Sequence, residues 1–209
     1  MDVEGLAERA RAIVARDGGR RALLGITGPP GAGKSTVAAD LVRTLRRSGL
    51  EAVLVPMDGF HLAQARLDAL GLADVKGAPR TFDAWGYHAL LERLRRNDSI
   101  VVYAPQFRRE IEEPVAGAIA VGPDVQVVLT EGNYLLLDEQ PWSGVRDLLD
   151  EVWYLDLDVE LRRQRLAARH QHFGRSDAES WQRTLGSDEA NALLVQEGIA
   201  RADLVVPVP

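Results

Sequence analysis

The chain has 209 residues, of which 46% are hydrophobic and 27% are charged, a composition typical of a globular protein folding as one domain over residues 1–209. Its formal net charge of −6 argues against nucleic-acid binding by general electrostatic attraction. The absence of cysteine excludes disulfides and thiolate metal sites, and no apolar run approaches the roughly 20 residues that span a bilayer. We therefore expect a cytoplasmic protein without nucleic-acid or membrane partners, for which a homodimer is left open.

Hydrophobic periodicity and turn residues predict helices and strands that alternate along the chain. In chain order they are a helix over 5–16, a strand over 23–27, a helix over 36–47, a strand over 51–57, helices over 61–70 and 83–96, a strand over 100–103, an irregular segment over 106–123, strands over 125–130 and 152–157, helices over 159–170, 177–185 and 188–197, and a strand over 202–206. This alternation predicts an α/β fold, in which a parallel sheet of about five strands is flanked by helices.

The segment Gly28-Pro29-Pro30-Gly31-Ala32-Gly33-Lys34-Ser35 follows the first strand and fits the phosphate-binding loop pattern G-x-x-x-x-G-K-[ST]. Backbone N–H groups and the helix dipole make such a helix start an anion site, where the lysine reaches the outer phosphates of a nucleotide and the serine hydroxyl binds Mg²⁺. The predicted nucleotide site consists of Gly28, Gly31, Ala32, Gly33, Lys34, Ser35 and Thr36. The alternative is an ordinary glycine turn between a strand and a helix.

Two acidic residues follow predicted strands, at the edge of the sheet where ligands bind in open α/β folds. Asp58 could accept a proton from an attacking hydroxyl or orient it, and the alternative is a residue that starts an Asp-Gly turn. Glu131 follows the apolar strand 125–130, so we expect it to hold a water of Mg²⁺ or to bond the hydroxyl of Ser35. A strand-end carboxylate that faces solvent is the alternative for Glu131.

Arginines dominate the predicted helix over 159–170. Arg162, Arg165 and Arg169 share one face by three- and four-residue steps, and Arg175 lies just beyond. Such a face could close as a lid of about residues 162–180 over a transferring phosphate and offset its charge. A lid of this kind would depend on Arg165, Arg169 and Arg175, whereas the alternative is a solvated surface.

Several short motifs follow the phosphate loop in a familiar order, namely Asp58-Gly59-Phe60, Thr81-Phe82-Asp83, Tyr103-Ala104-Pro105-Gln106-Phe107, Glu131-Gly132-Asn133 and Arg169…Gly174-Arg175. Together they resemble the uridine kinase, phosphoribulokinase and bacterial pantothenate kinase group of P-loop kinases. Two further motifs, Lys76-Gly77-Ala78-Pro79 and Gly186-Ser187-Asp188-Glu189, resemble a bacterial subgroup labelled nucleoside/nucleotide kinase-like or fructose-transport-system kinase.

This resemblance implies ATP:alcohol phosphotransfer with ATP and Mg²⁺, with Asp58 as base and the arginine helix as lid. The catalytic residues are then Asp58, Lys34 and Arg169. The chain departs from uridine kinases at His61, where they usually carry a tyrosine. The alternative function is a nucleotide-binding ATPase or regulatory protein without a small-molecule acceptor; a GTPase is disfavoured because the guanine-reading N-K-x-D motif is absent.

The acceptor is predicted to be a small polar alcohol, such as a nucleoside, a sugar or a pantothenate-like compound. Its candidate contacts are Asp58, Lys76, Arg80, Asp83, Tyr103, Arg108 and Asn133. The basic members favour an anionic group on the acceptor, whereas Asp58 and Asp83 favour a neutral polyol, and the sequence leaves both open. Asp83 is equally well explained as a helix N-cap, and Arg108 as a partner of the nearby glutamates.

Overall fold

The computed structural model describes residues 2–16, 18 and 20–208. The predicted single domain includes four residues, Met1, Asp17, Gly19 and Pro209, that lie outside the described residues. The described elements in chain order are α1 (Val3–Arg16), β1 (Ala22–Thr27), α2 (Lys34–Arg47), β2 (Ala52–Leu54), α3 (Gln64–Leu70), α4 (Ala84–Arg96), β3 (Val102–Arg108), β4 (Glu113–Val121), β5 (Val127–Glu131), β6 (Glu151–Asp156), α5 (Val159–His172), α6 (Asp177–Arg183), α7 (Glu189–Gln196) and β7 (Leu204–Pro207).

Five strands form one parallel sheet in the order β2-β5-β1-β6-β7, which confirms the predicted α/β fold. The strand β1 lies at the centre, and its register pairs Ile26 with Glu131 of β5 and with Trp153 of β6. Every residue of β1 and β5 is buried. Strands covered on both faces must be apolar throughout, which explains why these segments were readable as continuous hydrophobic runs.

A hydrophobic core packs on each face of the sheet. On one face, α1 and α2 bury a stripe that includes Ile13 and Leu41 against the strands. On the other face, α4 packs with Trp142 and the segment around Leu135. The two cores pack helices against both faces of the sheet, and the loops at its carboxyl edge extend from these packed strands. No helix in the described part of the chain combines the length and the apolar character needed to cross a bilayer.

The prediction of an irregular segment over 106–123 is wrong. Strands β3 and β4 form a separate antiparallel hairpin, and β3 extends well past the predicted strand over 100–103. The register shifts between Ala104 and Gln106, and all of β4 except Val121 is partly or fully exposed. A partly exposed strand that contains Pro114 and Gly117 has no clean alternation of apolar and polar residues, so the periodicity did not reveal it.

Candidate active site

A cleft of about 480 Å³ opens where β1 and β5 end and their following loops begin. In an open parallel sheet, this carboxyl edge is where ligands bind, because the loops there diverge and helix N-termini converge. The phosphate loop forms one wall, the hairpin β3–β4 contributes Phe107 and Arg109, and α5 packs beside the phosphate loop and contributes Leu166 and Arg169. The site therefore combines residues from segments more than 100 positions apart.

The glycines of the phosphate loop are required by close packing. Gly28 has φ +147°, and a Cβ there would lie 2.7 Å from the carbonyl oxygen of Leu155. Gly31 has φ +86°, and its Cβ would lie 2.8 Å from Cγ of Leu166 in α5. Gly33 at the N-cap of α2 offers no side-chain cap. The first N–H groups of α2 thus have no capping side chain, which suits an anion at this helix start.

Lys34 is buried beneath the loop, with 9% of its surface exposed. Its Nζ donates to the carbonyl oxygens of Gly28 at 2.8 Å and Pro29 at 3.0 Å. Burial lowers the pKa of Lys34 to about 8, against the opposing attraction of Glu131 and Asp58. A phosphate close to this ammonium would restore its charged form, because an anion raises the pKa of a neighbouring amine.

Ser35 and Glu131 converge on the floor of the cleft. Ser35 Oγ donates to Oε1 of Glu131 at 3.0 Å, and Glu131 is 5% exposed. Burial, together with the negative charge of Asp58, raises the pKa of Glu131 to about 7. A hydroxyl and a carboxylate are the oxygen donors that Mg²⁺ prefers, and a cation here would relieve the cost of burying this carboxylate. The residues therefore fit a Mg²⁺ ion that takes its other ligands from water and phosphate.

Asp58 lies on a 3-10 turn, Met57–Phe60, that follows β2. Its carboxylate is one-third exposed, and Nη2 of Arg109 approaches it to 3.7 Å. Gly59 packs against β3 so closely that a Cβ would lie 2.4 Å from the carbonyl oxygen of Pro105. This contact explains why a glycine follows the aspartate, and it anchors the turn to the hairpin.

The arginines of α5 divide into two groups. Arg169 of α5 and Arg175, which follows the end of this helix, line the cleft; desolvation of the Arg169 guanidinium there, followed by the nearby charge of Arg109, lowers the pKa of Arg169. Arg162 is buried, and its Nη2 donates to Glu189 at 2.6 Å. Arg165 is exposed and is not among the described residues that line the cleft. Within the predicted arginine face, Arg169 thus lines the cleft, whereas Arg162 links α5 to α7.

Most of the predicted site residues meet in this cleft. The lining includes Gly31, Lys34, Ser35, Asp58, Lys76, Glu131, Asn133, Arg169 and Arg175. Lys76 Nζ is engaged there, because it donates to the carbonyl oxygen of Glu112 at 2.8 Å and to Gln64 Oε1 at 3.2 Å. Gly28, Ala32 and Gly33 shape the loop, and Thr36 is exposed on the first turn of α2.

Four predicted acceptor contacts lie away from the cleft lining as far as the described residues show, namely Arg80, Asp83, Tyr103 and Arg108. Asp83 caps α4 by accepting a hydrogen bond from the N–H of Gly86 at 2.8 Å, as its alternative interpretation predicted. Tyr103 is 60% exposed on β3. Arg80 and Arg108 are also exposed.

Sequence reasoning missed several lining residues, namely His61, Gln64, Phe82, Phe107, Arg109, Arg183, Asp188 and Asn191. The Arg108-Arg109 pair marked the right segment, but only the hairpin geometry assigns Arg109 to the cleft. Arg183 and Asn191 come from the far end of the chain, where they contact the carbonyl oxygens of Lys76 and Gly77. No local pattern relates these segments to the phosphate loop.

The parallel sheet and the glycine-rich loop at the start of α2 define a P-loop nucleotide-binding protein. The family model described as Phosphoribulokinase / Uridine kinase family matches residues 23–209. The chain belongs to this family and is a P-loop kinase, which confirms the resemblance of its motifs.

Individual relatives agree with this assignment. A candidate uridine kinase of Schizosaccharomyces pombe is 35% identical over 195 residues, covering 90% of this chain and 83% of the relative. The ATP-dependent kinase-like protein notR′ of Aspergillus versicolor is 38% identical over 145 residues, covering 65% and 84% of the two chains. The crystal structure of a candidate fructose transport system kinase from Silicibacter sp. TM1040 superposes with a TM-score of 0.91 at 35% identity, covering 99% of this chain and 100% of the other.

Proposed function

We propose that this kinase transfers the γ-phosphoryl group of ATP to a hydroxyl of a small polar metabolite. The observation that carries the proposal is the position of Asp58, whose carboxylate shares one cleft with Lys34 and Ser35 of the phosphate loop. The same cleft continues past Asp58 to Gly77 and Asn191, which leaves room for an acceptor. This continuation favours a kinase over an ATPase or regulatory protein without an acceptor.

The phosphate loop and the floor of the cleft would hold the donor. Lys34 would turn from the carbonyl oxygens of its own loop to the outer phosphates, and the N–H groups at the start of α2 would bind them. Ser35 and Glu131 would hold Mg²⁺, directly or through its waters. A metal held there would supply neutralisation of the charge on the phosphate oxygens.

Asp58 would act as the general base. As the acceptor oxygen bonds to the γ-phosphorus and the bond to the leaving ADP oxygen breaks, the proton of the attacking hydroxyl passes to the Asp58 carboxylate. Arg169, with Arg175 nearby, would offset the charge that develops on the transferring group. We propose that residues 162–180 move as a lid in this step, with α5 carrying Arg169 over the phosphates.

The experiment is a measurement of ADP release from Mg·ATP in the presence of nucleosides, sugars, sugar alcohols, pantothenate and hydroxy acids. At least one alcohol should stimulate release in the wild type. Asp58→Asn keeps the shape of the side chain but removes the proton acceptor, so turnover should fall by about 10²- to 10⁴-fold. Binding of the non-hydrolysable analogue AMP-PNP with Mg²⁺ should be unchanged in this variant. Stimulation that survives in Asp58→Asn would contradict the role of Asp58 as base.

A further inference from the structure

Lys76 lines the cleft, but its ammonium group is engaged by other parts of the protein. Its Nζ donates to the carbonyl oxygen of Glu112 at 2.8 Å and to Oε1 of Gln64 at 3.2 Å. The carboxylate of Glu112 lies 3.7 Å from the same nitrogen, and the ring centroid of Phe107 lies 5.4 Å from it. These contacts use two of the three N–H donors and offset the charge, which leaves little of the group for an acceptor.

The partner of this lysine belongs to a strained turn at the tip of the hairpin. Residues 109–112, which we call the hairpin tip, join β3 to β4, and Glu112 has φ +54°. Glycine or asparagine is usual at such a left-handed position, because other side chains crowd the backbone there. A strained residue persists only where its surroundings hold it. The bond from Lys76 is one restraint, and the carboxylate of Glu113, which accepts from the backbone N–H of Gln64 at 3.0 Å, is another.

The backbone that carries Lys76 is itself held from several directions. Nη2 of Arg183 in α6 donates to the carbonyl oxygen of Lys76 at 3.1 Å. The carbonyl oxygen of Gly77 accepts from the hydroxyl of Tyr134, which follows β5, and from Nδ2 of Asn191 in α7 at 3.4 Å. Lys76 therefore extends from a fixed backbone position and reaches across to the hairpin tip.

The other end of the hairpin tip is Arg109, whose Nη2 lies 3.7 Å from the carboxylate of Asp58. Because Arg109 and Glu112 are the first and last residues of one short turn, a restraint on Glu112 limits where Arg109 can lie. We propose that Lys76 is a positioning residue, which holds the hairpin tip so that Arg109 stays beside the base Asp58. The inference rests on the proposed kinase function. In this role Lys76 acts through Arg109 and touches neither the acceptor nor the transferring phosphate.

The first test compares two basic residues of the connection between α3 and α4. Lys76→Met keeps most of the side-chain length but removes the N–H donors, so kcat/KM for the most active panel alcohol should fall by about 5- to 10-fold, with the KM for ATP unchanged. Arg80→Met is the control, because Arg80 is exposed and lies outside the cleft lining in the described part of the chain; it should stay within about 2-fold of the wild type. Equal losses in the two variants would contradict the proposal.

A double-mutant cycle with Arg109→Ala tests whether Lys76 acts through Arg109. Residues that act through one interaction have non-additive effects. Once residue 109 is alanine, the position of the hairpin tip no longer affects Asp58, so adding Lys76→Met should lower kcat/KM by less than about 2-fold further. If Lys76 contacts the acceptor directly, the two losses multiply, and the double variant falls about 5- to 10-fold below Arg109→Ala. That result would overturn the proposal.

Hydrogen–deuterium exchange keeps this inference separable from the kinase function. In the protein without nucleotide, the amides of residues 106–115 should exchange faster in Lys76→Met than in the wild type or in Arg80→Met. The amides of β1 and β5 should keep their protection in both variants, which checks that the fold is intact. Unchanged exchange at the hairpin tip would overturn the inference even if an alcohol is phosphorylated. If the tip is loosened but no panel alcohol stimulates ADP release, the proposed function fails, and the positioning role of Lys76 fails with it.

Discussion

At the scale of single residues, burial shifts the two central charged groups of the site towards their neutral forms. Lys34 has its pKa lowered to about 8, and Glu131 has its pKa raised to about 7. Each group would regain full charge when it meets an opposite charge, from a phosphate or a metal ion. In the protein without nucleotide, the burial of these two groups in charged form costs free energy. The binding of nucleotide and metal removes this cost.

This property predicts proton uptake when nucleotide binds. At about pH 8.5, roughly three-quarters of Lys34 is neutral, and an adjacent phosphate raises its pKa, so binding of Mg·AMP-PNP should take up at most about three-quarters of a proton per site. Glu131 is already ionised at this pH and contributes little. Calorimetry in two buffers with different ionisation enthalpies measures the uptake. The variant Lys34→Ala, at concentrations that saturate it, should show none; equal uptake in the variant would contradict the assignment to Lys34.

Two adjacent arginines provide a matched pair for the acceptor side. Arg109 lines the cleft 3.7 Å from Asp58, whereas Arg108 is the last residue of β3 and is exposed. Arg109→Ala should lower kcat/KM for the acceptor by about 10-fold, since a cation beside the base helps to position it. Arg108→Ala should stay within about 2-fold of the wild type. A larger effect of Arg108→Ala than of Arg109→Ala would indicate that Arg108 contacts the acceptor.

At the scale of elements, ion pairs couple α5 to the start of α7. The carboxylate of Glu189 accepts from Arg162 at 2.6 Å and from Arg163 at 2.9 Å. Between α6 and α7, the chain passes through a π-helical turn, Thr184–Asp188, in which Asp188 pairs with His170 at 2.7 Å. The sequence predicted a break between two helices at this point. The structure has the π-helical turn there instead, so α6 and α7 are continuous. The proposed lid over residues 162–180 is therefore joined to α7 by these ion pairs and by this continuous turn.

The variant Glu189→Gln should lower the free energy of unfolding by about 2 kcal/mol, because it leaves the buried Arg162 without its carboxylate. Glu160→Gln is the control, since Glu160 is largely exposed and pairs only with Arg163 among the described residues; it should change stability by less than about 0.5 kcal/mol. Urea unfolding measures both variants.

The same arginines make this difference dependent on pH. The bonds from Arg163 and Arg162 lower the pKa of Glu189, so its contribution to stability is present above the ordinary carboxyl pKa and is lost as the pH falls through the lowered value. The gap between the wild type and Glu189→Gln should therefore narrow in acid. A gap that widens in acid would contradict the ion-pair explanation.

At the scale of the whole molecule, one sheet with two cores holds a cleft built from distant segments. Nucleotide that binds only the folded protein should stabilise it by mass action, by about 2.7 kcal/mol at 100 times its Kd. For a domain of this size, that corresponds to a rise in Tm of about 5–10 °C. Thermal unfolding with Mg·AMP-PNP measures the shift, and Lys34→Ala at the same ligand concentration should lose most of it. An equal shift in that variant would place the nucleotide elsewhere.

The sequence by itself determined the phosphate site and the central sheet. The loop from Gly28 to Ser35 is contiguous, and its geometry depends on positive φ angles and on a helix start that immediate neighbours set. The strands β1 and β5 were readable because both of their faces are buried. Asp83 was correctly anticipated as an N-cap in one of its two interpretations, because a cap is also a local interaction.

Only the tertiary structure decided the composition of the acceptor side. The hairpin β3–β4 is half exposed, so its pattern is weak, and its tip brings Arg109 rather than Arg108 to Asp58. His61 lines the cleft beside Phe82 and Phe107, which other segments supply, and burial there lowers its pKa. Contacts between residues far apart in sequence leave no periodic signal along the chain, because they arise from packing rather than from neighbouring residues.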